Sequence, residues 1–352
     1  MTTAAGQVDR YTTWSQDTAI SSIDPMFSWL VPTFFGITKN FDGEFVEHDI
    51  VEHGRRIAPF VSPLGIGKPT RQTGYRTFQI KPAYIKLLDT VRPTQGFTRM
   101  PGEPYGGNLT PAERLARQVA EKMALHREMI EVRWEAMAAE VLFNAQLTIT
   151  DDGYPTALVD FERDPNLSMT VGTVWSNTAS DPMSDIQTMA DRINTSSRGS
   201  VPDTLVCRTG IYDNLMKNIK FRDSLNKESN LSKNKDAGFE ATGLRAADKK
   251  PQFRGKLGGQ YDLWTYDGYY EDDSGVTKAF VPATKVLVCG GQSIDGRRYH
   301  GAIQDMDAGM AALDVFVKTR NQWNPSGVEV LTQSAPMLGM RRPNASGVLT
   351  VL

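Results

Sequence analysis

Hydrophobic and polar positions along this chain fall into three rhythms. The first 45 residues begin polar, then crowd Met26, Phe27, Trp29, Leu30, Phe34, Phe35, Phe41 and Phe45 around Pro25, Pro32 and Gly36. Those interruptions forbid a long helix, and so aromatic a segment cannot stay in water. It is too broken to build its own core, so residues 1–45 are expected to form an arm lying across another surface. From 46 to 106, short alternating runs (FVEHDIV and RTFQIKPAYIKL) flank the turn-rich SPLGIGKPTRQTG. This pattern predicts a long two-stranded hairpin with a flexible tip. A lone hairpin is marginally stable in water, so it too should lean on something else.

The third rhythm is helical. Thr110-Pro111-Ala112-Glu113 supplies an N-cap hydroxyl, a proline at the first helical position and a carboxylate reaching back. Behind it Leu115, Val119, Met123, Ile130, Trp134, Met137 and Val141, with His126 as the one polar step, recur about every 3.7 residues. A helix from about 110 to 143 follows, with that stripe inward, making a rod of roughly 50 Å. Its length suits a spine rather than one packing element of a compact domain. Strands LTITDDGYPTALVDF come next, turning at Asp151-Asp152-Gly153. Residues 178–308 mix helices and strands and read as a separate α/β unit, with a polar stretch at 226–250 expected to be a surface loop. The end returns to strands: VFVKTR, GVEVLTQSAPML and GVLTVL.

Composition changes this picture little. The apolar fraction of 40% is ample for a core, and 39 basic against 41 acidic residues leave a net charge of −2, so any contact with nucleic acid must be local. No signal peptide or membrane-length apolar run is visible, which points to a cytoplasm. Cys207 and Cys289 each sit in an apolar strand-like run and read as buried thiols rather than a disulfide. The five glycosylation sequons then carry no meaning.

Candidate chemistry is sparse. Gly65-Ile66-Gly67-Lys68-Pro69-Thr70 lacks the early glycine and the hydroxyl residue of a phosphate loop and reads as a hairpin-tip turn. His48 and His53 are five apart, not four, so a zinc helix is not indicated. Asp305 and Asp307 lack the later ligands of a calcium loop, and Asp272-Asp273-Ser274-Gly275 reads as a hairpin turn. No nucleophile elbow, nucleotide fingerprint or metal constellation is present, so no catalytic, cofactor or metal residue is nominated. The hairpin carries Arg71, Arg76, Lys81, Lys86 and Arg92 with little opposing acid, a stripe suited to phosphate or to acidic groups of a neighbouring subunit.

The order of parts, with several short motifs, resembles the Hong Kong 97-type capsid fold of tailed phages, and within it the lambda-like major head proteins. The motifs are Asp24-Pro25-Met26-Phe27, Phe34-Phe35, Lys81-Pro82, Thr110-Pro111-Ala112, Val141-Leu142 and Leu147-Thr148-Ile149-Thr150. Further on stand Trp175-Ser176, Asp181-Pro182, Asp185-Ile186, Tyr299 with Gly301, Ile303-Gln304-Asp305, Asp307-Ala308 and Gln333-Ser334-Ala335-Pro336. The resemblance implies an α+β chain: arm 1–45, extended hairpin (E-loop) 46–106, a peripheral domain from 107–177 and 309–352, and an axial domain 178–308. It implies a non-enzymatic, cofactor-free virion protein. Assembled in the bacterial host cytoplasm as hexamers and pentamers, it would form an icosahedral procapsid that comes to enclose double-stranded DNA. Its partners would be other copies, a scaffolding protein, a portal, a possible decoration protein, and DNA by weak non-specific contact, with no membrane. Intersubunit contacts are then expected at Phe27, Trp29, Phe34, Phe35, Arg71, Arg76 and Lys81. The alternatives are a single-stranded nucleic-acid binder using the basic hairpin, or an enzyme with an unrecognised site in the α/β unit.

Overall fold

The computed structural model describes residues 28–51, 57–64, 66–69, 75–98, 109–151, 154–218, 220–221 and 251–352. Its axis is the long helix Pro111–Asn144. The capping box is formed: Glu113 N–H donates to the Thr110 hydroxyl at 3.3 Å, and the Glu113 carboxylate accepts Thr110 N–H at 2.7 Å. At the other end Ala145 turns left-handed at φ 54, and Arg163 donates to the carbonyls of Leu142 and Phe143 at 2.9 and 3.0 Å. A cation thus satisfies the last orphan carbonyls, although burial lowers its pKa to about 10. On the inward face Val119, Met123, Ile130, Trp134, Met137 and Val141 are buried, and Leu115 is partly so.

Strands from distant parts of the chain pack around this rod. The largest sheet runs β7 (Ser168–Thr170), β18 (Ser346–Thr350), β13 (Lys285–Cys289), β8 (Thr204–Cys207), β10 (Tyr261–Thr265) and β9 (Gln252–Leu257). Helices Pro182–Ser196 and Thr209–Lys217 accompany it. Because β7 and β18 come from outside 178–308, the expected axial unit is not a closed segment. Conversely, β14 (Gly296–His300) leaves it to pair with β17 (Pro336–Met340) and β1 (Ile37–Asn40). Two-stranded ribbons are made by β5 (Gln146–Asp151) with β6 (Tyr154–Asp160), and by β11 (Tyr269–Glu271) with β12 (Thr277–Ala279).

Two sequence expectations need correction. Among the described residues the two-stranded hairpin consists of β2 (Val46–Val51) with β3 (Tyr75–Ile80). The following strand β4 (Ile85–Val91) leaves it and pairs antiparallel with β16 (Gly327–Ser334), which also holds β15 (Phe316–Gln322). Alternation along 75–91 revealed strand character but not the change of partner. The arm expectation fails for residues 28–40. Phe34 and Phe35 are 3% and 1% exposed in the chain's own core, beside Leu30 and Val31, and β1 runs parallel to β14.

The anchor for this fold-back is Glu135, a fully buried carboxylate of the long helix. It accepts the N–H groups of Trp29, Leu30 and Val31 at 3.0, 2.8 and 3.2 Å and the Ser28 hydroxyl at 2.7 Å. These are the orphan donors at the start of the short helix Leu30–Phe34, where negative charge is favoured. The Tyr266 phenol bonds the same carboxylate; burial, then that charge, push its pKa up. Trp29 packs against Trp264 and Tyr266, with ring centroids 5.4 and 5.7 Å away.

Three buried histidines tie the remaining layers together. His48, on β2, bonds the Met340 carbonyl through Nε2 at 3.0 Å and the Tyr299 hydroxyl through Nδ1 at 2.8 Å. A carbonyl only accepts, so Nε2 carries the hydrogen, Nδ1 accepts from the phenol, and the ring is neutral. His126 joins the long helix to Thr332 of β16 at 2.8 Å and to Asp89 of β4 at 3.3 Å. His300 packs edge-on against Trp134, its Nδ1 3.6 Å from Asp314. Burial is the largest cause in each, and all three pKa values lie below the ordinary 6.5.

Replacing Glu135 by Ala strands the buried N–H groups of Leu30 and Val31 and the partly buried one of Trp29, and is expected to cost about 3 kcal/mol in urea unfolding, with a smaller loss for Glu135→Gln, which keeps an acceptor. A loss under about 1 kcal/mol for the alanine variant would contradict the anchoring role. The histidines bind fewer protons folded than unfolded, so their contribution is complete above pH 6.5 and drains as pH falls below it. Glu131, its pKa raised by burial and by Asp314, opposes this in part. With three groups against one, the unfolding midpoint should fall on acidification below 6.5; a flat or rising midpoint would refute the assignment.

Candidate intersubunit surfaces

The base of the β2–β3 hairpin is tied to the body of the subunit. At the base Val46 and His48 are fully buried, the Arg341 guanidinium donates to the Asp49 carbonyl at 3.2 Å, and Lys81 meets Glu44 at 2.7 Å. Beyond it Ile57, Phe60, Leu64 and Ile66 are 92 to 100% exposed. Gly and Pro punctuation explains why no regular structure forms there. These four large apolar side chains, with the partly exposed Val61 alongside them, exceed ordinary surface scatter.

A second exposed apolar point stands on a braced loop. Asp305 receives Lys318 at 2.5 Å, the Gln333 amide at 2.7 Å and the Asp307 N–H at 3.0 Å, and Lys318 also reaches Asp307 at 3.0 Å. Partial burial works to raise the Asp305 pKa, but the Lys318 ammonium and these bonds hold it below the usual carboxylate range. Burial likewise opposes charge on Lys318, and the two aspartates raise its pKa. Tyr84 joins the brace by donating to Gln333 at 2.5 Å and accepting the Gln304 N–H at 3.1 Å. Met306 and Met310 project from this frame, 94% and 65% exposed.

The third is Trp323, 94% exposed in the turn between β15 and β16. Register places it relative to the hairpin: β16 pairs Ser334 with Ile85 where the hairpin joins the sheet, and Val328 with Val91 near the Trp323 turn. The hairpin and the tryptophan therefore leave opposite ends of one three-stranded sheet.

Measured against the sequence expectations, the outcome is mixed. Phe27 and Arg71 lie outside the described residues, and Arg76 is placed only as backbone of β3, opposite Ile50. Phe34 and Phe35 are buried and Trp29 partly buried by their own chain, because Glu135 and the core behind it accept them. Lys81 has an acid partner within the chain. The most exposed apolar residues of these three surfaces, Ile57, Phe60, Leu64, Ile66, Met306, Met310 and Trp323, are not among the individual residues expected at an interface. A lone tryptophan among the turn formers Asn321, Asn324, Pro325, Ser326 and Gly327 was the available signal for the last.

Reactive chemistry is not assembled. Among the described residues no group of three or more His, Cys, Asp or Glu could hold a metal ion, and no helix is long and apolar enough to cross a membrane. Burial pushes the Cys207 thiol up to about 12 and that of Cys289 further, leaving neither a nucleophile at neutral pH.

Known proteins place this arrangement. The family model for phage major capsid protein E matches residues 12–351. The P21 prophage-derived major head protein of Escherichia coli O6:H1 strain CFT073 is 26% identical over 328 residues, covering 90% of this chain and 92% of the relative. The major capsid protein of Enterobacteria phage phi80 is 25% identical over 331 residues, covering 92% of each. Among solved structures, a prophage capsid protein of E. coli CFT073 superposes with a TM-score of 0.71 at 20% identity, covering 97% of this chain and 99% of the other. The capsid of Ralstonia phage GP4 gives 0.51 at 12% identity, covering 97% and 93%. The fold is thus the α+β, Hong Kong 97-type capsid fold. With a family match spanning nearly every residue behind it, the chain belongs to the phage major capsid protein E family and is a major capsid protein of a phage head.

Proposed function

We propose that copies of this chain assemble as hexamers and pentamers into an icosahedral head enclosing double-stranded DNA. The observation that carries the reading is the hairpin tip. Ile57, Phe60, Leu64 and Ile66 have no apolar cover in a single copy, and burying each fully would contribute about 1.5–3 kcal/mol. A head-to-tail contact between unlike surfaces, repeated around a ring, gives every tip a partner without leaving one unmatched. The opposite placement of the hairpin and Trp323 suits such a contact.

Assembly in the host cytoplasm with a scaffolding protein, around a portal and with a possible decoration protein outside, follows from the family likeness. A net charge of −2 makes DNA a weakly held content rather than a ligand, so specific affinity plays no part. The nucleic-acid-binder alternative loses support for the same reason and because Lys81 is spent on Glu44. The enzyme alternative has no observation in its favour.

The test replaces Leu64 and Ile66 together by Glu. The variant should keep its circular dichroism and unfolding midpoint, since neither side chain touches the core, yet sediment as free subunits under conditions where the parent forms shells visible by electron microscopy. Shells of normal size and yield from the variant would refute a role for the tip; loss of folding would show that it belongs to the core.

A further inference from the structure

Independently of how copies meet, one buried joint within the subunit carries unmet hydrogen-bonding capacity. Arg127, Glu131 and Trp134 share one face of the long helix at i, i+4 and i+7, and Arg298 and His300 share one face of β14. Asp314 sits between them, taking Arg298 at 2.9 Å and Arg127 at 3.6 Å. Arg127 also meets Glu131 at 3.4 Å, and the Arg298 guanidinium lies 4.5 Å over the Trp134 ring. In this arrangement Trp134 Nε1, Arg127 Nε, Arg298 Nε and His300 Nδ1 are buried without a hydrogen-bond partner. They are four of the seven such side-chain atoms among the described residues, so the shortfall is gathered at this joint rather than scattered. Trp134 is 0% and His300 4% exposed, so bulk solvent does not reach them.

Three of these atoms can only donate, and His300 Nδ1 donates or accepts according to tautomer. What they lack is an acceptor. Folded interiors rarely leave one such donor unmet, and far more rarely several at one place. The fixed charges already balance, Arg127 and Arg298 against Glu131 and Asp314, and His300 is the remaining titratable group facing the joint. An added anion would upset that balance, whereas a neutral acceptor would not.

We infer that this joint is a built internal hydration site, in which ordered water bridges Trp134 Nε1 and His300 Nδ1 to the Nε–H groups of Arg298 and Arg127. A water accepts two hydrogen bonds and donates two, so it can take an indole or guanidinium N–H and return a proton to His300 Nδ1 or a carboxylate. The long helix and β14 are then joined by a bridge that re-forms after a small relative shift, which a dry interlocked contact does not do.

The test is a density map of the unmodified protein, crystallised or in assembled shells, at a resolution that shows ordered solvent, prepared once in chloride and once in bromide. The expected result is a peak about 3 Å from Trp134 Nε1 and from at least one of the other three atoms, with no anomalous signal in bromide. An anomalous peak there would overturn the proposal in favour of a halide site. Side chains turned so that the four atoms bond protein acceptors directly, with no peak between them, would overturn it as well.

Discussion

A carboxylate sealed from solvent is the constraint around which this subunit is arranged. Glu135 lies buried in the C-terminal third of the long helix, where a bare negative charge would be prohibitively costly, and it is tolerated because four donors from residues 28–31 converge on it. The dependence runs both ways. The short helix Leu30–Phe34 is too brief to persist alone, and its first N–H groups find their acceptor only there. Once it is seated, Trp29 reaches the rings of Trp264 and Tyr266, and β1 is delivered to the edge of β14. One ion–dipole contact thereby joins the N-terminal segment, the helical rod and two sheets.

The remaining polar contacts in the interior follow the same logic of placing a charge or ring where it can bind two layers at once. Arg163 closes the C-terminal end of the rod, His48 holds the hairpin base to β17 and β14, and His126 holds the rod to β4 and β16. The interior is therefore joined by directional bonds as well as by packing, which sets the angle of the hairpin relative to the rod.

Local signals in the sequence were legible and remote partners were not. Thr110-Pro111-Ala112-Glu113 announces a helix start that the structure places there, with Thr110 as the cap and Pro111 as the first helical residue, and the stripe from Val119 to Val141 is the buried face. Alternation marked FVEHDIV and RTFQIKPAYIKL as strand runs of one hairpin, which the structure divides into three strands at 46–51, 75–80 and 85–91. Nothing in that alternation said that the third would leave the other two for a strand some 240 residues onward, since period two records a buried face and not the identity of a neighbour. The same limit explains the arm: aromatic crowding around Phe34 and Phe35 required cover, and whether the cover was another copy or the chain's own core turned on Glu135, which reads in isolation as one more helix carboxylate. For the exposed surfaces, the apolar character of the hairpin tip was readable from its composition, whereas Met306 and Trp323 depend on turn geometry.

The pairing of β4 with β16 also has a temporal meaning. A nascent polypeptide emerges from its amino end, so Ile85–Val91 waits uncovered until Gly327–Ser334 has left the ribosome and can lie alongside it. Until then the support beneath the hairpin is incomplete. Closure of that sheet therefore comes late relative to the hairpin it supports, because its two strands lie some 240 residues apart in the order of synthesis.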